Sequence, residues 1–447
     1  MKTNKFVPTP KVFTHEGATA ARINAVQQLR RSVLATLLFE DEFYEDGKSI
    51  AGRIQDEVKS VLKLKDGADI VANIAYEART KQKLRHAPLW LALALVNAQT
   101  EETRKVISGL LYSIIQRADE PGEFLSMYWK GGKKPIPNQV KIGLGEALKK
   151  FDEYSLAKND KNSAAIRLRD VLFLTHPKPE NAEQEALWKK LAEDTLETPD
   201  TWETQLSAGA DKKETFTRLI QEGKLGALAL LRNLRNMIQA GVDIAVIREA
   251  LKSMKTERVL PFRFITAARY APQLEPELEQ AMFKSIEGLE KLPGKTILAI
   301  DTSGSMGSQV SGKSEISRRD AAAALAMLLR ELCDDVEIIA FGSTAGVVKP
   351  RRGFALNDEI GSGKFGHGTN IAAACQLAAT RKCDRLIVIT DEQSATPTGI
   401  RASDGKGYFI NVASYKNGIG YGDWVHIDGW SESVLDYIQQ YEKLDEK

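Results

Sequence analysis

The spacing of apolar residues changes once along this chain, near residues 290–295, and that change constrains the fold most. Before it, apolar residues recur at steps near 3.6, as Leu29 and Val33 do, which predicts ten to fifteen helices. After Pro293, short runs rich in β-branched and aliphatic residues alternate with helical stretches. The pattern predicts an all-α domain of packed helix pairs over 1–292 and an α/β domain over 293–447.

Five short apolar runs in the second domain predict buried strands. They lie at 296–300, 336–341, 386–390, 408–412 and 425–427. Helical stretches between them, notably 318–332 and 369–380, predict a doubly wound, mostly parallel sheet covered on both faces.

Composition excludes several classes of protein. No apolar run reaches the roughly 18 residues of a membrane helix, and residues 1–10 lack the hydrophobic region of a signal peptide. Three cysteines form neither a disulfide framework nor a zinc-ligand pattern. We therefore expect a soluble, cytoplasmic chain. The net charge of +2, from 62 basic and 60 acidic residues, excludes a uniformly basic nucleic-acid binder.

Oxygen-bearing side chains stand where the strands of a doubly wound sheet lead into loops. Asp301, Ser303 and Ser305 follow the first strand, Thr369 lies in a glycine-rich loop, and Asp391 ends a buried strand. Ligands bind at this edge of such sheets, and an all-oxygen set suits Mg²⁺ first, with Ca²⁺ or Mn²⁺ as alternatives, rather than zinc. In the competing interpretation the serines only cap a helix and Asp391 only forms a turn.

Charge is distributed unevenly along the first domain. Residues 130–178 hold eleven basic and five acidic residues, a net charge of +6, and 179–211 carry a net charge of −7. The basic segment is either a phosphate-contacting patch or a solvated helix face. Its candidate phosphate-contacting residues are Lys133, Lys134, Lys141, Lys149, Lys158, Lys161 and Arg167. Arg232 and Arg235 lie in an apolar helical stretch, either as buried structural anchors or as polar groups lining a cavity.

The second domain resembles a von Willebrand factor A domain with a metal-ion-dependent adhesion site. The resemblance rests on Asp301, Ser303, Ser305, Thr369 and Asp391 and extends over residues 295–447. It implies that those five residues hold a divalent cation and leave one coordination position for an acidic group from a partner. It also implies a recognition module rather than an enzyme. His367 departs from the glycine often found there, either as a group behind the ligands or as a tolerated change.

The first domain is similar to the TROVE module. A TROVE module followed by a von Willebrand factor A domain is the architecture of the Ro autoantigen family. Within that family the sequence most resembles bacterial or phage-type members. Nine stretches carry the TROVE resemblance. They are FTHEG at 13–17, LRRSV at 29–33, FEDEFY at 39–44, PLW at 88–90, YW at 128–129, LRDVLFLTHPKP at 168–179, TWE at 201–203, LLRNLRN at 230–236 and LPFR at 260–263.

The Ro resemblance implies a monomeric ring of HEAT-like helical repeats closed by the von Willebrand factor A domain. It implies binding of small non-coding Y RNA on the outer face and of single-stranded 3′ ends of misfolded RNA in the central hole, with an exoribonuclease as a further partner. His176 matches a histidine of the family's Y RNA surface. With the candidate phosphate-contacting residues named above, His176, Arg232 and Arg235 make up the expected RNA-binding residues. The resulting hypothesis is a scaffold for RNA quality control and maturation. Its rivals are a protein adaptor that captures an acidic partner through the metal, with RNA incidental, and a metal-dependent RNA-processing enzyme.

Overall fold

The computed structural model describes residues 11–36, 44–310, 315–396 and 406–445. Residues 1–10 and most of the FEDEFY stretch, 39–43, lie outside the described residues. The chain forms two compact units, which we call the sheet unit (residues 1–50 and 256–447) and the helical unit (residues 51–255). The units thus group residues 1–50 and 256–292 with the α/β part of the sequence, whereas the predicted boundary at 292/293 follows the apolar pattern.

Helices fill the chain before the first strand, as the helical spacing predicts. The described residues hold sixteen of them there, one more than the predicted range: α1 Ala25–Leu34, α2 Gly47–Val61, α3 Gly67–Thr80, α4 His86–Ala98, α5 Glu101–Ile114, α6 Glu120–Tyr128, α7 Asn138–Leu148, α8 Glu153–Asn159, α9 Leu168–Thr175, α10 Ala182–Ala192, α11 Trp202–Ser207, α12 Lys212–Gln221, α13 Ala227–Gln239, α14 Ile244–Ser253, α15 Phe262–Tyr270 and α16 Glu275–Phe283. None of the helices that the structure describes is long and apolar enough to cross a membrane.

Close packing in the helical unit depends on two glycines of α7. Helices α3, α5, α7 and α9 contact one another in succession. A Cβ at Gly143 would lie 2.9 Å from the Ser108 carbonyl oxygen of α5, and one at Gly145 would lie 3.1 Å from Cβ of Pro177, which follows α9. Since glycine carries no side chain, α7 fits between its neighbours, and a larger residue would force them apart.

The rest of the chain alternates strands and helices. The elements are β1 Leu292–Asp301, α17 Arg318–Leu332, β2 Cys333–Phe341, β3 Ala345–Val347, α18 Gly353–Ile360, α19 Ile371–Ala379, β4 Arg385–Thr390, β5 Lys406–Asn411, β6 Val425–Asp428 and α20 Ser433–Asp445. The sheet order is β3-β2-β1-β4-β5-β6, and every pairing is parallel except that of β2 with β3. The predicted doubly wound α/β architecture is confirmed.

Both faces of the sheet are buried, as the continuous apolar runs predict. Ile297 and Ala299 of β1 point to one face, where they join a core that includes Ile371 of α19. Leu298 and Ile300 alternate to the other face and are equally buried. Helix α17 packs on β1, β2 and β4. The sheet is therefore a rigid base for the loops at its carboxyl edge.

Candidate functional site

Two buried carboxylates lie side by side at the carboxyl edge of the sheet. Asp301 ends β1, Asp391 directly follows β4, and both side chains are fully buried. Strands β1 and β4 are hydrogen-bonded neighbours. The chain runs from β1 to β2 on one side and continues with β4 on the other, so this pair marks the switch point where doubly wound sheets bind ligands.

The loop after β1 folds tightly around Asp301. One carboxylate oxygen, Oδ1, accepts a hydrogen bond from the Ser303 amide at 2.8 Å. The other, Oδ2, accepts one from the Thr390 hydroxyl at 2.5 Å. The Ser303 and Ser305 hydroxyl oxygens lie 3.3 Å apart. This places two hydroxyl groups and a carboxylate in one buried loop.

Hydrogen bonds join this loop to the other two that carry predicted ligands. The Gly304 amide donates to the His367 carbonyl at 2.8 Å. The Thr369 carbonyl accepts from the Ser394 hydroxyl at 3.0 Å, and Thr369 is 4% exposed. The structure therefore brings the loops of all five predicted metal ligands together. His367 itself is exposed, and its backbone carbonyl makes the tie.

The electrostatics of the two carboxylates are unfavourable without a cation. Burial and the neighbouring Asp391 carboxylate raise the pKa of Asp301 to about 7. Burial also raises the pKa of Asp391, against the opposing effect of Arg318 and the Ser305 hydroxyl. The Asp391 Oδ2 atom is buried and has no hydrogen-bond partner in the described part of the chain. A buried acceptor without a partner is costly, so the residues fit a divalent cation bound between the carboxylates.

Hydroxyl groups are essential to such a site. Within the described ranges, no three His, Cys, Asp or Glu side chains cluster in a way that could hold a metal ion. Two carboxylates alone give too few ligands for Mg²⁺, which prefers six oxygens and keeps several waters. The serine and threonine hydroxyls and water would complete the set.

A buried arginine beside the site was not predicted from the sequence. Arg318, the first residue of α17, is 1% exposed and donates to the Tyr415 hydroxyl and, at 3.4 Å, to the Ser305 carbonyl. Its guanidinium lies 4.7 Å from the centre of the Tyr415 ring. A cation in the first turn opposes the helix dipole, and this unfavourable position is the signal that the sequence contained.

The N-terminal segment also reaches this edge of the sheet, which the sequence did not indicate. The Thr14 hydroxyl donates to the Ser394 carbonyl at 2.7 Å, and the His15 amide donates to the Gln393 side chain at 3.0 Å. Ala18 is 3% exposed and belongs to the core of the sheet. The loop that follows Asp391 is therefore covered by residues nearly 380 positions earlier in the chain.

Helix α1 contributes a buried arginine to a cluster of four charges. Arg31 forms a 3.1 Å ion pair with Glu392, whose other carboxylate oxygen lies 2.5 Å from Nε2 of His426. Nδ1 of His426 lies 3.5 Å from Asp428. Burial opposes charge on His426, but Asp428 and Glu392 prevail and raise its pKa to about 9. Burial likewise opposes charge on Glu392, but Arg31 and His426 lower its pKa to about 2.

The predicted basic segment lies in the helical unit, and several of its lysines pair with aromatic rings. Lys133 and Lys134 are exposed, and their ammonium groups lie 5.7 and 4.1 Å from the ring centres of Trp129 and Tyr128. The same arrangement occurs at Lys158, 5.5 Å from the ring centre of Tyr154. Lys150, which the sequence did not single out, lies 4.5 Å from the ring centre of Tyr112.

Two predicted RNA-contacting residues are engaged by neighbouring acids. Lys149 forms a 2.8 Å ion pair with Glu146, and Arg167 pairs with Asp160 and, at 2.5 Å, with Asp194. Their charges are largely compensated within the unit. Lys141 is half-buried and Lys161 is exposed. His176 is also exposed and ends α9 with a positive φ of 49°.

Arg232 and Arg235 are exposed on α13, so the interpretation of these residues as buried anchors is wrong. The buried polar residue of this stretch is Asn233, which is 2% exposed and whose amide donates to the Ala229 carbonyl at 2.9 Å. The helical period explains the difference, because positions 232 and 235 lie on the face opposite the buried leucines.

Two family models match the chain. The TROVE domain matches residues 194–327, and the von Willebrand factor type A domain matches residues 296–393. Telomerase protein component 1 of Mus musculus is 36% identical over 89 residues, and its Rattus norvegicus counterpart is 35% identical over 89 residues. Each match covers 19% of this chain, and the chain spans only 3% of either relative.

A solved structure shares the fold over nearly the whole chain. The crystal structure of the Deinococcus radiodurans RO (RSR) protein matches with a TM-score of 0.60 at 18% identity. The match covers 92% of this chain and 98% of that one. At this identity the likeness establishes the fold, and the fold agrees with the order of the two matched domains.

Proposed function

We propose that the chain is a member of the Ro family that binds RNA through the helical unit. The order of the TROVE and von Willebrand factor type A matches, and the fold shared with a Ro protein, support this proposal. The RNA is a small, structured, non-coding species of the Y RNA class, together with the single-stranded 3′ ends of misfolded RNA. In this proposal the protein is a scaffold for RNA quality control and maturation that an exoribonuclease joins, and it binds rather than cleaves.

The observation that carries the proposal is the pairing of lysines with aromatic rings. Lys133, Lys134 and Lys158 of the basic segment each stand over a tryptophan or tyrosine ring. Lysines supply contacts to phosphates, and the half-buried Trp129 ring and the exposed Tyr154 ring supply stacking surfaces for unpaired bases, whereas Tyr128 is buried and only positions Lys134. Tyr154 and Lys158 are four residues apart on α8, as neighbours on any helix face are, whereas Lys133 and Lys134 lie in the loop after α6, where helical spacing does not impose the contact.

Exposed apolar side chains support the same assignment. Tyr76 of α3, Tyr112 of α5, Ile142 of α7 and Phe173 of α9 are between 47% and 56% exposed. Each stands on one of four helices that contact one another in succession. Large exposed apolar groups repeated in this way are typical of a binding surface.

Reversing two charges in the basic segment tests the proposal. We expect Lys133→Glu with Lys134→Glu to weaken binding of a structured RNA with a single-stranded 3′ end by roughly tenfold or more. Because two phosphate contacts are lost, the slope of log affinity against log salt should fall by about one to two. Filter-binding titrations between low and high salt measure both quantities.

Lys212→Glu with Lys213→Glu is the matched control, since these lysines are also exposed, lie in the helical unit and change the net charge equally. The control should bind RNA nearly as the unchanged protein does. An unchanged salt slope in the 133/134 variant would remove this segment from the RNA surface.

We further propose that Asp301, Ser303, Ser305, Thr369 and Asp391 hold a divalent cation, with Mg²⁺ the first choice. Support comes from the Asp391 Oδ2 atom, which lacks a hydrogen-bond partner among the described residues, and from the all-oxygen set. When bound, the cation offsets the two buried negative charges and offers coordination positions to further oxygen ligands. Mg²⁺-dependent RNA cleavage that Asp391→Ala abolishes would contradict the assignment of a binding protein.

A further inference from the structure

A tight turn near the N-terminus is fixed to the loop that carries Asp391. The Thr14 amide donates a hydrogen bond to the Ala18 carbonyl at 2.9 Å, which closes the turn. The Ala18 amide donates to the Ser394 carbonyl at 3.3 Å, which fixes the turn to the loop. Gly17 takes a φ of 94°, which allows the chain to reverse. Glu16 stands at the tip of this turn with an exposed side chain.

Tyr44 connects the Glu16 carboxylate to the predicted metal ligands. Its hydroxyl donates to Oε1 of Glu16 at 2.7 Å and also hydrogen-bonds the Ser305 side chain. The Tyr44 hydroxyl therefore stands between the Glu16 carboxylate and the Ser305 side chain.

Stacked rings hold this arrangement in place. The His15 and Tyr44 rings are parallel, with centres 4.4 Å apart, and the Tyr415 ring meets Tyr44 edge-on at 4.9 Å. Tyr415 in turn accepts the hydrogen bond from Arg318. The turn, Tyr44 and the loop after β1 are therefore linked through direct contacts within the sheet unit.

We propose that Glu16 is the acidic ligand that completes the cation's coordination, so that the chain closes its own metal site. The inference rests on the proposed cation site and adds a residue that precedes the sheet by about 280 positions. In the structure Glu16 is held by the Tyr44 hydroxyl and is not gathered with the two buried carboxylates, so to bind the cation its side chain must leave Tyr44 and turn toward the loop after β1. Closure from within leaves no coordination position for an acidic group of a partner protein, which separates this site from one that captures a partner.

Binding of Mn²⁺ to the full-length protein tests the proposal. Electron paramagnetic resonance measures the free Mn²⁺ and hence the affinity, and water-proton relaxation reports how many exchangeable waters the bound ion keeps. We expect Glu16→Gln to weaken Mn²⁺ binding by roughly tenfold and to add one exchangeable water. Added acetate should reverse both changes in Glu16→Gln and leave the unchanged protein as it was.

Two further variants make the outcome decisive. Glu257→Gln removes an exposed carboxylate elsewhere in the sheet unit and should bind Mn²⁺ normally. Asp301→Ala should abolish binding. If Asp301→Ala abolishes binding but Glu16→Gln keeps the original affinity and hydration, closure by Glu16 is overturned and the cation site stands. If Asp301→Ala binds Mn²⁺ as the unchanged protein does, or if the unchanged protein binds none, both assignments fail.

Discussion

Buried charges in the sheet unit occur in combinations that neutralise one another. Arg31 and His426 face Glu392 and Asp428, which makes two cations and two anions. Removing a single member of such a group leaves an uncompensated buried charge, which is the most destabilising change that a buried ion pair allows. Of the two cations in this group, His426 is the one that loses its charge in the physiological range of pH. The stability of the unit should therefore depend on whether His426 is protonated.

Stability should consequently depend on pH through His426. Its pKa is raised from 6.5 to about 9 in the folded protein, with Asp428 and Glu392 outweighing burial and Arg31 and Tyr421 adjoining the ring. The stabilisation is present in full below pH 6.5 and is lost as pH rises through about 9. The difference amounts to about 3 kcal/mol.

Urea unfolding at pH 6 and pH 9.5 of the unchanged protein and of His426→Gln measures this dependence. The unfolding free energy of the unchanged protein should fall relative to that of the variant over this range. His367→Gln, at an exposed histidine, should retain the full dependence. A constant difference between the unchanged protein and His426→Gln at the two pH values would contradict the assignment.

For individual residues, the sequence predicted which loops of the cation site meet, but it did not predict the side chains that stabilise those loops. Asp301 and Asp391 could be placed together because each ends a buried strand, and parallel strands end at one edge. Thr390, which donates to Asp301, reads as one more β-branched strand residue. The unfavourable position of Arg318 in the first turn of α17 signals an unusual residue, but only the contact with Tyr415, 97 positions later, shows that it is buried.

At the scale of elements, regular strands and helices were predictable and short ones were not. The predicted stretch 318–332 coincides with α17. Each of the five predicted strands overlaps an observed strand and extends beyond it by at most one residue. Strand β3 has three residues, one of them glycine, and pairs antiparallel at the edge of the sheet. So short a strand has no periodicity of its own to detect, and only its partner β2 makes it a strand.

Helix α1 shows the opposite failure, in which the element was predicted but its partner was not. Asn24 followed three residues later by Gln27 is the sequence pattern of a capping box. In the structure the Asn24 side chain accepts from the Gln27 amide, and the Gln27 side chain accepts from the Asn24 amide. Its burial against the sheet depends on Arg31, which reaches the Tyr415 carbonyl at 2.5 Å and Glu392. Local pattern carries no information about contacts across nearly 400 residues.

Arg31 should therefore anchor α1 to the sheet unit. We expect Arg31→Met to destabilise the sheet unit by about 3–5 kcal/mol, because Glu392 loses its partner inside the protein. Arg31→Met combined with Glu392→Gln should cost less than the two single changes together, by more than about 1 kcal/mol. Urea unfolding followed by tryptophan fluorescence measures each variant.

Arg258→Met, at an exposed arginine of the sheet unit, is the control and should change stability by less than about 0.5 kcal/mol. Additive effects of Arg31→Met and Glu392→Gln would show that the two residues act separately and that α1 is held by its apolar face alone.

For the whole molecule, the net charge of +2 is the sum of regions that differ in sign. The segment 130–178 carries +6 and the next carries −7, and acids from the second segment neutralise part of the first, as Asp194 does with Arg167. Exposed lysines remain for a ligand, among them Lys133 and Lys134 beside aromatic rings, and Lys161. Summed charge therefore excluded indiscriminate binding to nucleic acid, whereas the location of the remaining lysines required side-chain positions.

The two proposed binding sites belong to different compact units, and we expect them to act independently. The lysine–aromatic pairs lie in the helical unit, and the proposed cation ligands lie in the sheet unit. RNA affinity should stay within about threefold when Mg²⁺ is replaced by EDTA or when Asp301 is changed to Ala, since neither removes a phosphate contact. Conversely, Lys133→Glu with Lys134→Glu should leave Mn²⁺ affinity unchanged.

Filter binding measures the RNA affinity, and electron paramagnetic resonance titration measures the Mn²⁺ affinity. Both are carried out on Asp301→Ala and on Lys133→Glu with Lys134→Glu. A loss of RNA affinity in Asp301→Ala that exceeds tenfold at constant ionic strength would mean that the cation helps to form the RNA surface. Comparing Mg²⁺ with an ionic-strength-matched monovalent salt is essential, because divalent ions also compete for the RNA phosphates. Circular dichroism on Asp301→Ala distinguishes such coupling from loss of the fold, since a variant with unchanged secondary structure can lose RNA only through the site itself.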